Sequence, residues 1–145
     1  MVALCGLLAC SGCLSAGPGG EGAALGSFTL VSTRLGNHTI VPATCTAGDR
    51  QVFLGGDFAD PSSGMVIRLV VDPLAGPAAR VFVAAEPYEK SVVFQRSQCR
   101  TFQLSLETTG WRINHVRDYR IAIDLDCAND AGDAIAGKAS ATHCH

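Results

Sequence analysis

The last three residues, His143, Cys144 and His145, have the types and spacing of a small metal site. In a β-strand, His143 and His145 would share one side, because successive side chains point to opposite faces. Imidazole nitrogens bind zinc and copper, and His115 or His38 could supply a further ligand. Chain termini are seldom ordered binding sites, so we expect two solvated histidines beside a disulfide-bonded cysteine, with metal binding as the alternative.

Acidic residues form two further groups near the carboxyl terminus. Asp126, Asn129, Asp130 and Asp133 crowd one turn and carry the oxygen ligands that calcium prefers. Their spacing is not that of an EF-hand, and Asn and Asp are ordinary turn residues, so we expect a hairpin turn here. Asp124 and Asp126 could act as general acid and base only if burial separated their pKa values. On the outer face of a strand we expect both to be solvated.

Two aromatic residues, Trp111 and Tyr88, are candidates for a binding surface, although we expect both to pack in the core or at its rim. The chain contains no nucleophile elbow, zinc-protease helix motif, P-loop or dinucleotide-binding glycine motif. We therefore predict a protein that is not an enzyme and that needs no cofactor.

Two cysteines near the amino terminus, Cys10 and Cys13, are candidates for lipidation. An apolar run at residues 2–9 leads into small residues around both cysteines. This order resembles the end of a secretory signal followed by a lipobox. Leu7-Leu8-Ala9-Cys10 matches a lipobox at each position, whereas Cys10-Ser11-Gly12-Cys13 has an unusual first residue.

The number of cysteines favours Cys13. The chain has seven cysteines, and acylation of Cys13 would remove Cys5 and Cys10 with the signal, leaving four that can pair. Acylation of Cys10 would leave one thiol unpaired. No Lys or Arg precedes Arg34, so we expect the basic part of the signal to lie upstream of Met1. We predict lipidation of Cys13, with Cys10 as the alternative.

Composition divides the chain into three parts. Residues 1–13 are expected to be a truncated lipoprotein signal and lipobox, residues 14–26 a flexible Gly-rich tether, and residues 27–145 one folded domain. A net charge of -2 with 17% charged residues gives no basic face, so nucleic acid is not an expected partner. The rest of the sequence has no run of about 18 apolar residues, so membrane contact is expected through the lipid. The lipobox resembles that of Gram-negative lipoproteins, in which an aspartate after the acylated cysteine is associated with inner-membrane retention. Leu14 follows Cys13 instead, so this resemblance implies the outer membrane.

Within the folded part, apolar residues recur with a period of two. The clearest case is residues 119–127, where five apolar residues share one face. Gly, Pro, Asn and Asp separate the runs, with turns expected at residues 108–110 and 129–133, and Gly55-Gly56 suggests a bulge or a close backbone approach. Further strands are predicted at residues 28–35, 39–45, 52–58, 65–71, 80–84, 91–95, 102–106, 111–116 and 134–142. The pattern predicts an all-β, disulfide-stapled antiparallel sandwich of about eight to ten short strands without substantial helix.

Four cysteines, Cys45, Cys99, Cys127 and Cys144, are expected to form two disulfides in an oxidising compartment. A tight hairpin after Cys127 would place it opposite a residue near Ala136, so a bridge from Cys127 to Cys144 fits poorly. Of the two remaining pairings, we prefer Cys45 with Cys127 and Cys99 with Cys144.

Short stretches of this chain resemble two groups of lipoproteins. Residues 44–48, 52–56 and 119–127 resemble the small mycobacterial lipoprotein antigens, in which a cysteine before a glycine-containing hairpin pairs with one closing a late strand of a β-sandwich. Residues 99–114 and 125–127, together with the closing His143-Cys144-His145, also resemble uncharacterised lipoproteins predicted in myxobacteria. Neither resemblance implies an enzyme activity.

These observations lead to one expectation and one alternative. We expect a lipid-anchored cell-envelope protein, at the outer membrane or the periplasmic face, that acts as a non-catalytic binding or structural module. Its ligand would be an envelope protein, a glycan or a lipid. The alternative is a periplasmic metal-binding protein that uses His143 and His145.

Overall fold

The computed structural model describes residues 22–145, so the lipidation candidates Cys10 and Cys13 lie outside the described residues. Short 3₁₀ helices are the helical elements of this part, at Gly48–Gln51, Tyr88–Lys90 and Arg96–Gln98. The strands are β1 (Gly22–Ala23), β2 (Leu25–Val31), β3 (His38–Ile40), β4 (Thr44–Ala47), β5 (Gly55–Asp60), β6 (Met65–Asp72), β7 (Gly76–Val83), β8 (Val92–Gln95), β9 (Cys99–Ile113), β10 (Val116–Ala128) and β11 (Ala134–Cys144).

The strands form two antiparallel sheets that pack on each other. Sheet A has the order β1-β4-β5-β6-β7-β8, and sheet B has the order β3-β2-β11-β10-β9. This arrangement confirms the predicted antiparallel β-sandwich without substantial helix. Eleven strands occur in the described part, with the two-residue β1 among them, against the predicted eight to ten.

The buried core contains the apolar residues that alternate with polar ones in the sequence. On β10, the odd-numbered residues from Tyr119 to Cys127 are at most 3% exposed. They pack in one cluster with apolar residues from the inner face of sheet A, including Phe58, Ile67 and Phe94. Each fully buried side chain of this size contributes about 1.5–3 kcal/mol through removal of apolar surface from water. The period of two therefore identified the buried face of the central strand.

The pair Gly55-Gly56 marks a close backbone approach, as predicted. Gly55 has a φ of 141°, and a Cβ there would lie 1.8 Å from the carbonyl oxygen of Leu69. A Cβ on Gly56 would lie 2.7 Å from Cδ1 of Ile121 in the opposite sheet. Glycine is required because no other residue leaves room for these contacts. The strand begins at Gly55, three residues later than the sequence predicts, because Val52 has the left-handed φ of 65°.

The turn predicted at residues 108–110 is wrong. These residues continue β9, and the chain reverses instead at Asn114 and His115, whose φ values are 51° and 68°. Two successive residues with positive φ match the twist of a tight hairpin. Gly110 also has a positive φ, of 85°, but it lies in the irregular part of β9 opposite Asp118 and not in a turn. The glycine thus suggested a turn at the wrong place.

The preferred disulfide pairing is also wrong, although all four cysteines are bridged. Cys45 is bound to Cys144, and Cys99 is bound to Cys127. The strand pairing explains the result, since Cys127 and Cys99 face each other on β10 and β9. The end of β11 passes Tyr119 at the start of β10, and Cys144 reaches β4 in the other sheet. The expected Cys45–Cys127 and Cys99–Cys144 bridges would require Cys99 and Cys127 to lie apart, but these residues face each other.

The folded part also begins earlier than predicted. Residues 22–26, which the sequence assigns to the tether, lie in β1, in β2 and between them. Gly22 and Ala23 pair with Cys45 and Thr44 of β4. A Cβ on Gly22 would lie 1.6 Å from the carbonyl oxygen of His143, so the lack of a side chain allows this edge pairing.

Removal of the Cys45–Cys144 bridge should destabilise the domain more than removal of Cys99–Cys127. The bridged residues are 99 and 28 positions apart, for which loop entropy gives about 4.7 and about 3.6 kcal/mol. We expect urea denaturation of the Cys45→Ala/Cys144→Ala variant to show the larger loss in free energy of unfolding. The Cys99→Ala/Cys127→Ala variant is the matched comparison, and the reverse order would contradict the loop-entropy explanation.

Candidate functional site

Two strand irregularities on β10 lie close together, one at Asp118 and one at Arg120. On the β9 side, Arg117 faces Arg112 and Tyr119 faces Thr108, so the single residue Asp118 lies opposite residues 109–111. On the β11 side, Arg120 lies opposite two residues, 142 and 143. Bulges of this kind redirect side chains and strengthen local twist. Here they turn the Asp118 carboxylate inward and bring His143 to it.

The Asp118 carboxylate is buried and fully engaged, with its side chain 1% exposed. The Thr109 hydroxyl donates to Oδ2 at 2.7 Å, and the backbone N–H of Cys144 donates to Oδ1 at 3.0 Å. Nδ1 of His143 lies 2.8 Å from Oδ2. Burial acts to raise the pKa of Asp118, but hydrogen bonds from His143 and Thr109, the charge of His143 and the Cys144 N–H outweigh it and lower the pKa. The site therefore holds an ionised carboxylate.

Both terminal histidines lie beside this carboxylate, although only His143 is hydrogen-bonded to it, and we name Thr109, Asp118, His143 and His145 the Asp118 cluster. Nδ1 of His145 lies 3.5 Å from Oδ1 of Asp118, and its side chain is 12% exposed, against 63% for His143. The expectation of two solvated histidines is therefore wrong for His145. The burial follows from β11, which stays paired up to Cys144 and is tied there to β4.

The other predicted metal ligands lie apart from this cluster. His38 is in β3 and its Nε2 lies 2.7 Å from the carbonyl oxygen of Leu35. His115 is at the tip of the β9–β10 hairpin. Within residues 22–145, no group of three or more His, Cys, Asp or Glu side chains is arranged to hold a metal ion. The same range has no helix long and apolar enough to cross a membrane.

A cavity of about 370 Å³ adjoins the cluster. The expected packing of Trp111 in the core or at its rim is wrong, because this residue is 72% exposed and lines this cavity. Nη1 of Arg120 lies 3.7 Å from Oε2 of Glu107, and both side chains also line it. We name this space the Trp111 cavity, and its lining residues are Glu107, Thr108, Thr109, Trp111, Arg120 and His143.

Tyr88, the other aromatic candidate, belongs to a packed cluster on the outside of sheet A. Its ring meets Phe82 edge to face at 5.2 Å. Arg80 and Arg68 place their guanidinium carbons 4.5 and 5.5 Å from the Tyr88 ring centre, and Arg68 is also ion-paired with Asp57 at 2.7 Å. The ring contacts of Tyr88 agree with the expected rim packing.

The acidic turn is a turn, as predicted. The Asn129 side-chain oxygen accepts hydrogen bonds from the backbone N–H of Ala131 and of Asp133, both at 3.0 Å. The buried Asp133 carboxylate accepts from the Thr33 N–H at 3.2 Å. Asp124 and Asp126 form ion pairs with Lys138 and Arg100, on the neighbouring strands. Neither aspartate has the burial that a general acid would need.

The Thr109 hydroxyl and the Cys144 sulfur, both beside Asp118, are already engaged. The Thr109 hydroxyl donates to Asp118 and not to His143, and the lowered pKa of Asp118 makes this carboxylate a weak base toward the hydroxyl. Cys144 is oxidised in a disulfide. With Nδ1 directed to Asp118, the Nε2 atom of His143 remains for a hydrogen bond with a ligand in the Trp111 cavity.

Comparison with protein-family models, with curated proteins and with solved structures finds no match for this chain. Its function is therefore inferred from the residues themselves. Among these, sequence reasoning selected His143, His145 and Trp111 but missed Asp118. The alternation gives Asp118 the same parity as Asp124 and Asp126, and the two bulges that bury it leave no signal in that pattern.

Replacement of Asp118 by Asn should destabilise the domain by about 1–3 kcal/mol at neutral pH, because the amide cannot replace a carboxylate that accepts several hydrogen bonds. The folded-state pKa of Asp118 is lowered. Its stabilising contribution is therefore present above the unfolded-state pKa of about 4 and is lost as pH falls through the folded-state pKa.

Urea denaturation at neutral pH and at about pH 3 checks this prediction. The difference in free energy of unfolding between the wild type and Asp118→Asn should be smaller at the acidic pH. Asp130→Asn, in the exposed turn, is the control and should change stability by less than about 0.5 kcal/mol. An Asp118→Asn effect that is equal at both pH values would contradict the buried, ionised carboxylate.

Proposed function

We propose that this chain is a lipid-anchored cell-envelope protein whose β-sandwich is a non-catalytic binding module. The observation that carries the binding role is the Trp111 cavity, where a largely exposed indole lies beside His143, Arg120 and Glu107. Large aromatic side chains are seldom left in water without a packing role, and they are frequent anchors of binding surfaces. Burial of the indole by a ligand would add about 1.5–3 kcal/mol.

Two disulfides support a compartment outside the cytosol. Cys45–Cys144 joins the two sheets, and Cys99–Cys127 joins neighbouring strands of one sheet. Structural disulfides such as these persist in oxidising compartments and are rare in the cytosol. With these four cysteines paired, Cys13 is free to carry the lipid after removal of Cys5 and Cys10 with the signal. This parity supports the proposed anchor.

The lipid position is testable by intact-mass analysis of the protein isolated from membranes of cells that express it from its own locus. We expect a mass that corresponds to acylated Cys13 as the first residue, with no thiol available to an alkylating reagent. In the Cys13→Ser variant the protein should leave the membrane fraction. Cys10→Ser is the matched control and should remain acylated and membrane-bound. Acylation of Cys10 in the wild type would contradict the assignment.

A second candidate, a periplasmic metal-binding role, is favoured by one observation. Nδ1 of both His143 and His145 lies within 3.5 Å of an Asp118 oxygen, which places two imidazoles beside one carboxylate. Two histidines that only offset the negative charge of a buried carboxylate would have the same geometry without binding a metal. The metal-binding role therefore needs a direct test.

Metal titration of the purified protein separates the two roles. For the binding module, we expect no uptake of zinc or copper at micromolar concentration, because no three His, Cys, Asp or Glu side chains among residues 22–145 are arranged to hold a metal ion. The His143→Ala/His145→Ala variant is the control for uptake elsewhere. Stoichiometric uptake by the wild type that is lost in this variant would favour the metal-binding role instead.

A further inference from the structure

We propose that two copies of this chain pair antiparallel through the free edge of β9, so that their two sheets B join into one continuous sheet. The pairing depends neither on the lipid anchor nor on a ligand in the Trp111 cavity. Three features support it: the length of this edge, its unpaired backbone groups and the symmetry of its side-chain pattern.

β9 is the longest edge strand in the described part of the sandwich. The edges of sheet A are β1 and β8, with two and four residues, and the other edge of sheet B is β3, with three. β9 has 15 residues, and β10 is the one element of residues 22–145 that runs along it. Proteins protect open edges with short strands, prolines and lysines, because an open edge pairs with other chains. β9 contains neither proline nor lysine, so it lacks these forms of protection.

The regular part of β9, residues 101–108, directs half of its backbone groups away from β10. The two-residue turn makes Ile113 and Val116 a hydrogen-bonded pair, so the backbone groups of Val116 point to β9. The irregularities insert residues in β9 and β11 but none in β10, so every second residue of β10 after Val116 also points to β9. Within residues 101–108, these residues face the odd-numbered residues of β9.

The even-numbered residues of this part therefore direct their N–H and C=O groups to the free edge. These residues are Phe102, Leu104, Leu106 and Thr108. No backbone hydrogen bond from a loop of residues 22–145 reaches them. The edge thus offers a row of donors and acceptors to a further strand.

The inner side of the edge is incompletely covered. Leu104 and Leu106 pack against the core but are only partly buried. Ile123 and Ile121, which face them on β10, are at most 3% exposed. A further strand beside β9 would remove the remaining leucine surface from water. The same strand would therefore engage the backbone groups and cover the apolar side chains.

A second copy of β9 fits this edge. Two identical antiparallel strands have two-fold symmetry, and they form hydrogen bonds when edge-facing residues meet edge-facing residues. Two registers meet this condition over most of residues 101–108: one places Leu104 opposite its own copy, and the other places Ser105 opposite its own copy. In both registers, Leu104 and Leu106 face apolar residues of the second copy. About six to eight backbone hydrogen bonds would form, which is within the usual range for a protein interface.

The charges of β9 do not oppose this pairing. In neither register do two like charges of β9 face each other directly. Arg100 and Glu107 are ion-paired with residues of β10, and Arg112 donates to the carbonyl oxygen of His115 in the turn. Arg96 precedes β9 and lies outside residues 101–108. The side chains that commonly protect an edge are thus directed to the neighbouring strand.

The dimer would carry two Trp111 cavities on one face, because the outer faces of both copies point the same way in a continuous sheet. At about 3.4 Å per residue, the two indoles would lie about 40–50 Å apart. A ligand with repeated binding groups would engage both cavities and gain avidity. This consequence, unlike the dimer, rests on the proposed binding function.

Sedimentation equilibrium of the full chain in a density-matched detergent tests the pairing. We expect the protein mass of two chains at micromolar concentration. Gln103 and Ser105 are exposed on the outer face of β9, and Gln103→Glu/Ser105→Glu would place like charges opposite each other in both registers. The dissociation constant of the dimer should rise about tenfold or more. A mixture of this variant with Gln103→Lys/Ser105→Lys should form the mixed dimer.

Ala136→Glu/Ser140→Glu is the matched control, because it adds the same charge on the same outer face but on β11, away from the edge. Its dissociation constant should stay within about twofold of the wild-type value. Far-ultraviolet circular dichroism should be the same for all variants, since the replaced side chains are exposed.

Three results would overturn the pairing: a wild-type chain that stays monomeric, a dimer that Gln103→Glu/Ser105→Glu does not weaken, or an equal loss in the control. A dimer that the edge variant leaves intact would assign the contact to another surface. Failure of the lipid anchor is read separately, from the mass of the Cys13→Ser and Cys10→Ser proteins.

Discussion

The buried Asp118 carboxylate determines the architecture of one end of this sandwich. It accepts hydrogen bonds from Thr109 on β9 and from the Cys144 N–H on β11, and thus ties three strands of sheet B together. Cys144 in turn is bonded to Cys45 in sheet A. A carboxylate in this position costs stability unless such donors surround it. The irregular ladder, the disulfide and the orientation of His143 therefore form one interdependent unit.

The two outer faces of the sandwich differ in how their arginines are satisfied. On sheet A, the guanidinium of Arg68 lies over the rings of Phe53, Phe82 and Tyr88 and pairs with Asp57, so that face is covered by its own side chains. On sheet B, the ion pairs are exposed, and small residues lie between them. The outer face of sheet B is thus the more open of the two.

Alternation in the sequence was sufficient for the fold class and for the buried face of β10. The glycine pair was sufficient for the close approach at Gly55-Gly56, because two glycines weaken a strand unless another chain segment needs their space. The alternation of apolar and polar residues gave a wrong prediction where one residue faces two or three on the next strand, as at residues 109–111. A bulge there changes which face of the sheet the following side chains occupy, and no particular residue type marks it. The disulfide pairing failed for a related reason: it depends on how far β11 extends past β10, which is a property of the whole sheet. Asp118 could not be separated from Asp124 by sequence for the same reason.

The connection of the last strand to β4 builds the Asp118 cluster, and the rest of the proposed site depends on it. Mass spectrometry of peptides from a digest under non-reducing conditions tests this connection most directly. We predict disulfide-linked peptides that contain Cys45 with Cys144 and Cys99 with Cys127. Peptides that link Cys45 with Cys127, or Cys99 with Cys144, in the native protein would contradict it.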